Sequence, residues 1–475
     1  MASHDELRVV NDAGKLSSFR FTDTSLLIGR ETKKTLEVPL KQVIWAEHAK
    51  DTLEVHFLAR KNKNSSLGLV KASGRVYQDD DPLVDTWIVN LMDKAYDGRG
   101  VKQSRRLKVL INPHGGQGKA VSLFRKKVEP ILLTAHCSLD VTYTTHSKHA
   151  FDIAKDLSLS DYDAVVVVSG DGLVHEILNG FAEHTHPLKA LNIPLSPVPT
   201  GSGNGLSCNL LGIQDAFDVS AAALNAIKGR PMKTDLFSFT QSGTRRFSFL
   251  SQAIGLMADL DIGTEHLRWM GDTRFIVGFL RGVVRYTPCP VTLSIKPVES
   301  EKPKLIEKWQ EARAAPISLS TDASEEETSG GLPPLKFDSK SQDNDGWIKF
   351  DKPLLYVYAG QGPYVGRDLM QFPLSLPDDG LIDVVAQELS SRGDMLKAMD
   401  GAEKGSPFWL PGQHYYKAQA YRITPHSKKG CLSIDGEAYP FEEYQVEVHP
   451  KLGTLLSMHG RYATEFKLLK PPRQS

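Results

Sequence analysis

An aspartate lies between two glycines directly after a run of valines. Residues 164–168 read Ala-Val-Val-Val-Val, followed by Ser169-Gly170-Asp171-Gly172 and then Leu173-Val174-His175-Glu176-Ile177. The β-branched run predicts a strand buried on both faces. Leu173, Ile177 and Leu178 mark one side of a helix that follows. Asp171 is therefore placed in a glycine turn between the carboxyl end of a core strand and the amino end of a helix, where open α/β sheets bind ligands. Turn N–H groups and helix N-termini attract anions. A carboxylate set among them makes chemical sense as the acceptor of a proton from an attacking hydroxyl. The same position also suits Asp171 as a plain helix cap.

Two more glycine loops follow strand-like runs. Asn112-Pro113-His114-Gly115-Gly116-Gln117-Gly118-Lys119 comes after 107–111, and Gly201-Ser202-Gly203-Asn204 after 195–199. Neither common nucleotide pattern fits: Pro113 and Ala120 stand where a phosphate-binding loop of the Walker type needs Gly and Ser or Thr. Three such loops, each after a strand, suggest a broad backbone cradle for a nucleoside triphosphate.

The elements that must hold these loops are legible from periodicity. Between about 105 and 230, strands (107–111, 141–144, 164–168, 195–199) alternate with helices (119–136, kinked at Pro130; 147–157; the one after Gly172; 215–227), which implies a parallel, doubly wound sheet. Residues 1–98 form a β-rich module of short strands closed by an amphipathic helix at 85–92, a pattern resembling a pleckstrin-homology-like barrel. Its Arg60, Lys61 and Lys63 face either anionic lipid or plain solvent. From 231 to 467 strand-like runs dominate, giving a mainly antiparallel β-sandwich domain. Its chief helix, 273–284, carries Phe275, Ile276, Val277, Phe279, Leu280 and Val283 around most of its circumference and reads as core or as the wall of an apolar cavity. The Glu-, Lys- and Ser-rich stretch 299–346 reads as a disordered insertion.

Composition narrows the function. The chain has 475 residues, enough for two or three cores, and a formal net charge of +0, which argues against a dedicated nucleic-acid binder. Its 4 cysteines, Cys137, Cys208, Cys289 and Cys431, lack metal-ligand spacing and read as thiols of a reducing compartment. No apolar run approaches the ~20 residues of a spanning helix, so the expectation is a cytoplasmic protein that at most visits a membrane surface peripherally.

Together the loops resemble the catalytic domain of the diacylglycerol-kinase and sphingosine-kinase superfamily, marked by an Asn-Pro-x-Gly-Gly loop, a Gly-Asp-Gly loop and a Pro-x-Gly-Ser-Gly-Asn loop. The resemblance covers roughly 105–298 and 347–467. It is nearest to sphingosine (long-chain-base) kinases, through 169–176, Gly255-Leu256-Met257-Ala258-Asp259-Leu260-Asp261, the following Glu265, Arg268, Gly271, Arg274 and Phe275, and a late Asp435-Gly436-Glu437. The resemblance implies an ATP- and magnesium-dependent kinase that phosphorylates the primary hydroxyl of sphingoid bases, with ceramide or diacylglycerol kinases and a silent lipid-binding relative as alternatives. It implies that Asn112, Pro113, His114, Gly115, Gly116, Thr144, Ser169, Gly170, Gly172, Gly201, Ser202, Gly203, Asn204 and Gly436 surround ATP. Arg268 and Arg274 reach its phosphates, and Asp435 and Glu437 hold Mg²⁺. Asp171 is the base, Asp261 binds the lipid's polar head, and Phe275 and Phe279 line a sleeve for its tail. Thr145-His146-Ser147-Lys148 departs from the run usual in these enzymes, so base or ribose contacts there are not carried over. Asp435-Gly436 reads equally as a hairpin turn, and His175 as a packed histidine.

Overall fold

The valine run 164–168 forms the middle of a parallel sheet because its alternate side chains meet two separate cores. In the strand Ala164–Ser169, Val165 and Val167 pack with Ala150, Leu173, Ile177 and Phe181 on one side. Val166 and Val168 pack with Phe124, Ile131 and Ile227 on the other. The computed structural model describes residues 6–10, 14–30, 33–96, 100–201, 203–264, 273–317, 330–337 and 346–471. The parallel strands lie in the spatial order Ser138–Tyr143, Arg106–Ile111, Ala164–Ser169, Leu195–Pro199. The chain starts at Arg106–Ile111, steps outward to Ser138–Tyr143, and returns to the other side of the first strand. The order reverses between Arg106–Ile111 and Ala164–Ser169, and the crevice outside their carboxyl ends is where such sheets bind ligands.

The helix expected over 119–136 is broken into Ala120–Leu123, a π-turn at Phe124–Val128 and Glu129–Thr134. Pro130 falls in the first turn of the last piece, where its missing N–H costs no hydrogen bond.

The amino-terminal module is an antiparallel sheet in the order Lys33–Pro39, Ser25–Arg30, Leu16–Phe21, Glu6–Val10, Leu67–Val76, Thr52–Arg60, Val43–Ala49. Helix Val84–Ala95 closes it, with Trp87 against Phe19 and Phe21. It is fastened to the α/β half. Arg60 pairs with Asp215 and Asp218, Asp218 also accepts from Leu67 N at 2.7 Å, and Trp45 lies tilted against His136, ring centroids 4.1 Å apart. The two cores merge into one apolar cluster. Arg60, weighed from sequence as a contact for anionic lipid, is instead committed to this internal seam.

The β-rich half is not a detached body. The strand Tyr444–Ser457 runs parallel to Leu195–Pro199 through Leu195↔Leu455, and antiparallel to Arg230–Gln241 and Gln413–Pro425. One mixed sheet therefore passes from the glycine loops to the antiparallel strands Ile382–Glu388, Leu354–Gly360 and Ser251–Gly255.

The stretch 299–346, expected to be disordered, opens with a helix, Lys302–Ala314. Its charged residues are the solvent side, while Leu305, Ile306 and Trp309, at one-turn spacing, are buried. Residues 318–329 and 338–345 lie outside the described chain.

Candidate functional site

Each glycine loop leaves its strand at the same sheet edge. Asn112 N donates to Val168 O and Thr200 N to Ser169 O. Asn112 Oδ1 accepts from His114 N at 3.0 Å, fixing the first turn. Asn204 staples the third loop by donating from Nδ2 to Gly201 O at 2.7 Å. The second and third loops touch glycine to glycine: a Cβ on Gly201 would sit 2.4 Å from Gly170 Cα, and one on Gly170 would sit 2.7 Å from Gly203 O. Only glycine permits this approach, which leaves the backbone itself as the wall of the cradle.

Asp171 begins the helix Asp171–Ala182, whose own cap position, Gly170, has no capping side chain. Its carboxylate instead turns to the third loop, where Gly205 N donates to Oδ2 at 2.7 Å and Leu206 N to Oδ1 at 3.3 Å. It thus caps the next helix, Gly205–Leu211, while lining a cavity. Burial pushes its pKa up to about 6, aided by the charges of Asp435 and Asp261 and opposed by the two N–H donors.

The loops and the β-rich half enclose one cavity of 1240 Å³. Asn112, His114, Gly115, Ser169, Gly170, Gly172, Gly201, Gly203 and Asn204 line one end; Leu256, Met257, Leu260, Phe279, Leu355 and Met395 line the other. Asp171 and Asp261 are both on its wall, with Ser433 Oγ donating to Asp261 at 2.5 Å. Phe279 reaches it from helix Thr273–Arg285. That helix is not wrapped in core all round, as its sequence suggested: Val277, Leu280 and Val284 are 42%, 46% and 73% exposed.

Other expected residues fall elsewhere. Thr144 is buried behind the wall, with its hydroxyl on Ile111 O, and Pro113 shapes the turn in front of the helical turn Gly115–Gly118 that contains Gly116. Ser202 and Arg268 lie outside the described residues, as do the side chains of Arg274 and Phe275.

Asp435 departs most from expectation. Asp435 and Gly436, with φ of 50° and 86°, form the two-residue turn of a hairpin that pairs Ile434 with Glu437. The carboxylate points inward. Oδ1 accepts from Ser248 Oγ (2.8 Å), Leu250 N (3.0 Å) and Ser251 N (2.9 Å), and Oδ2 from Phe249 N (3.1 Å) and His175 Nδ1 (2.8 Å). Both oxygens are thus taken up by protein donors, while Asp435 and Gly436 still line the cavity. His175 is buried between Asp435 and Asn179, as a packed histidine. Glu437 stays on the cavity wall, its Oε1 3.2 Å from where a Gly172 Cβ would stand.

Sequence reasoning passed over many wall residues, Lys119 and Glu176 among them. Lys119 brings a cation to the first loop; its place right after Gly118 was the signal. Glu176 lines the cavity with Oε2 buried and unpartnered.

Comparison with known proteins agrees with this geometry. Residues 106–239 match the diacylglycerol kinase catalytic domain, and 2–97 a domain of unknown function. "Sphingoid long chain base kinase 4" of Schizosaccharomyces pombe is 33% identical, over 89% of this chain and 88% of its own. The chain belongs to the sphingoid long-chain-base kinase family. Within that family, human "Sphingosine kinase 1" is 31% identical, over 77% of this chain and 94% of its own. A crystal structure from Bacillus anthracis str. Sterne, named for a diacylglycerol kinase, shares the fold at a TM-score of 0.50 and 19% identity, covering 75% of this chain and 98% of that one.

Proposed function

We propose that the protein transfers the γ-phosphate of ATP to the primary hydroxyl of a sphingoid long-chain base. The observation that carries this reading is the position of Asp171, at the joint of the glycine cradle and the apolar end of one cavity, with Asp261 on the same wall. Phosphoryl transfer asks mainly for positioning and charge neutralisation. The loop N–H groups and Lys119 receive the phosphates, as would Arg268 and Arg274. Asp171, its proton affinity raised by burial, takes the hydroxyl proton as the oxygen attacks. Magnesium, when bound, neutralises phosphate charge; the carboxylates that fit it are Glu437 and Glu176 rather than Asp435.

Asp261 favours an amine-bearing head over diacylglycerol or ceramide, because a carboxylate on the cavity wall can accept a charge-assisted hydrogen bond that only the amine supplies. Incubation with labelled ATP and a panel of long-chain base, ceramide and diacylglycerol tests this directly, with magnesium omitted as control. Label should enter the base, and Asp261→Ala should lower kcat/KM for the base by about 10-fold or more, the scale of a lost charged hydrogen bond. Faster labelling of diacylglycerol would overturn the reading.

We read residues 1–98 as a pleckstrin-homology-like module, 105–230 as the nucleotide domain and 231–467 as a β-sandwich lipid domain. The seven-strand order and closing helix support the first. Docked through Arg60, the module serves as a support for the kinase core. Peripheral membrane binding is supported by helix Thr273–Arg285, where exposed Val277, Leu280 and Val284 accompany Arg281 and Arg285. Among the described residues no helix is long and apolar enough to cross a membrane. Four free thiols fit a cytoplasmic setting. Co-sedimentation with anionic vesicles should fall several-fold for Leu280→Glu, since a charge replaces a buried apolar contact; unchanged binding would exclude this face.

A further inference from the structure

The amino-terminal module is fastened to a turn that also reaches the cavity. Helix Gly205–Leu211, capped by Asp171, ends at Gly212, whose φ of 78° carries the chain out of the helix. Residues 212–218 then make two successive tight turns, with Asp215 N donating to Gly212 O at 3.0 Å and Asp218 N to Asp215 O at 2.9 Å. Helix Val219–Lys228 begins at once, its cap Asp218 accepting from Ser220 N at 3.0 Å. Within this turn Phe217 lines the cavity and packs against the cluster that holds Leu256, Met257, Leu260 and Met395. Arg367, also on the cavity wall, lies over its ring with Cζ 4.2 Å from the centroid.

A short irregular turn opens at low free energy unless something outside it holds it. Here the hold comes from the module. The Arg60 guanidinium reaches the carboxylates on either side of Phe217: Nη2 donates to Asp215, and Nη1 is 3.6 Å from Asp218. Leu67 N donates to Asp218 Oδ2 at 2.7 Å. A planar fork that grips acids on both sides of an aromatic residue fixes where its ring stands. From the opposite direction, Asn209 ties helix Gly205–Leu211 to the segment that leads to Arg367. It donates to Tyr364 O at 2.9 Å and accepts from Tyr364 N at 2.8 Å. No described residue of the module itself lines the cavity.

Resting on the substrate reading above, we infer that Arg60 is a positioning residue for the lipid: through Asp215 and Asp218 it sets Phe217, with Arg367 over it, as wall against which the alkyl chain packs. The module is then a working part of the substrate site without touching the substrate. ATP, held by the glycine loops at the other end, does not depend on this grip.

The test is a double-mutant cycle in the full chain, reading KM for the long-chain base and for ATP separately. Phe217→Ala should raise the lipid KM by about tenfold or more, the scale of a lost apolar contact in a binding pocket. Arg60→Ala should raise it by about fivefold, because a displaced wall is enough to weaken binding. Both should leave KM for ATP within about twofold of wild type, the mark of a loss confined to lipid binding. The combined variant should be no worse than Phe217→Ala alone, since both changes act through one contact. Arg60→Lys, which keeps the charge but not the fork, should fall between Arg60→Ala and wild type. Asp215→Asn weakens the same grip and should raise the lipid KM if Arg60→Ala folds poorly. A lipid KM unmoved by Arg60→Ala and Asp215→Asn, an equal rise in KM for ATP, or effects that multiply in the combined variant overturn this inference and leave the kinase reading standing. If no long-chain base is phosphorylated and another lipid is, the substrate reading fails, and the same cycle run on that lipid still decides the role of Arg60.

Discussion

Asp171→Asn should lower kcat by about 10²- to 10⁴-fold, the usual contribution of a positioned general base, while the chain stays folded. Asparagine keeps the shape and one acceptor for the N–H groups of Gly205 and Leu206 but cannot take the hydroxyl proton. The pH dependence has a definite sign. With a pKa raised from 3.8 to about 6, the free enzyme loses its base as pH falls through 6, so kcat/KM should show an acid limb there. Stability moves the other way. A carboxyl group whose folded pKa exceeds its unfolded one binds protons more readily when folded, so its contribution becomes more favourable as pH drops from about 6 toward 4. Asp171→Asn should remove both trends. Turnover equal to wild type, or an acid limb unchanged in the variant, would remove Asp171 from the base role.

Asp435→Ala should unfold the joint between the two halves before it affects metal use. The change strands the N–H groups of Phe249, Leu250 and Ser251, the Ser248 hydroxyl and His175 in a site where the Asp435 side chain is 0% exposed. Each stranded buried group costs about 1–3 kcal/mol, and the costs overlap, so a loss of at least about 3 kcal/mol is expected. Measured with a chelator present, the melting temperature should fall by about 3 °C or more, the entropy of melting being large for a chain of 475 residues. Glu437→Gln should instead leave melting near wild type and raise the magnesium concentration needed for activity. An Asp435→Ala variant that melts normally in chelator but needs more magnesium would reverse the two assignments.

These contrasts separate what local sequence carries from what only long-range packing decides. The strand at 164–169, the three glycine loops and their shared edge were legible because β-branched runs and glycine turns are local signals. Asp435 was not decidable. An Asp-Gly pair supplies a hairpin turn or a metal ligand with equal ease, and the donors that bear on it come from Ser248 to Ser251 and His175, far away in the chain. The helix Lys302–Ala314 was hidden because its charged majority outweighs three buried apolar positions in any compositional view.

The strand Tyr444–Ser457 has a consequence for how the molecule is made. It lies between Leu195–Pro199 and Gln413–Pro425 and holds each beside the other, so on the ribosome the sheet behind the catalytic crevice cannot be completed until residues 444–457 have emerged. A nascent kinase would hold its halves together only through early contacts such as Asn179 with Phe247, and stay harmless to membrane lipids until that strand is stitched in.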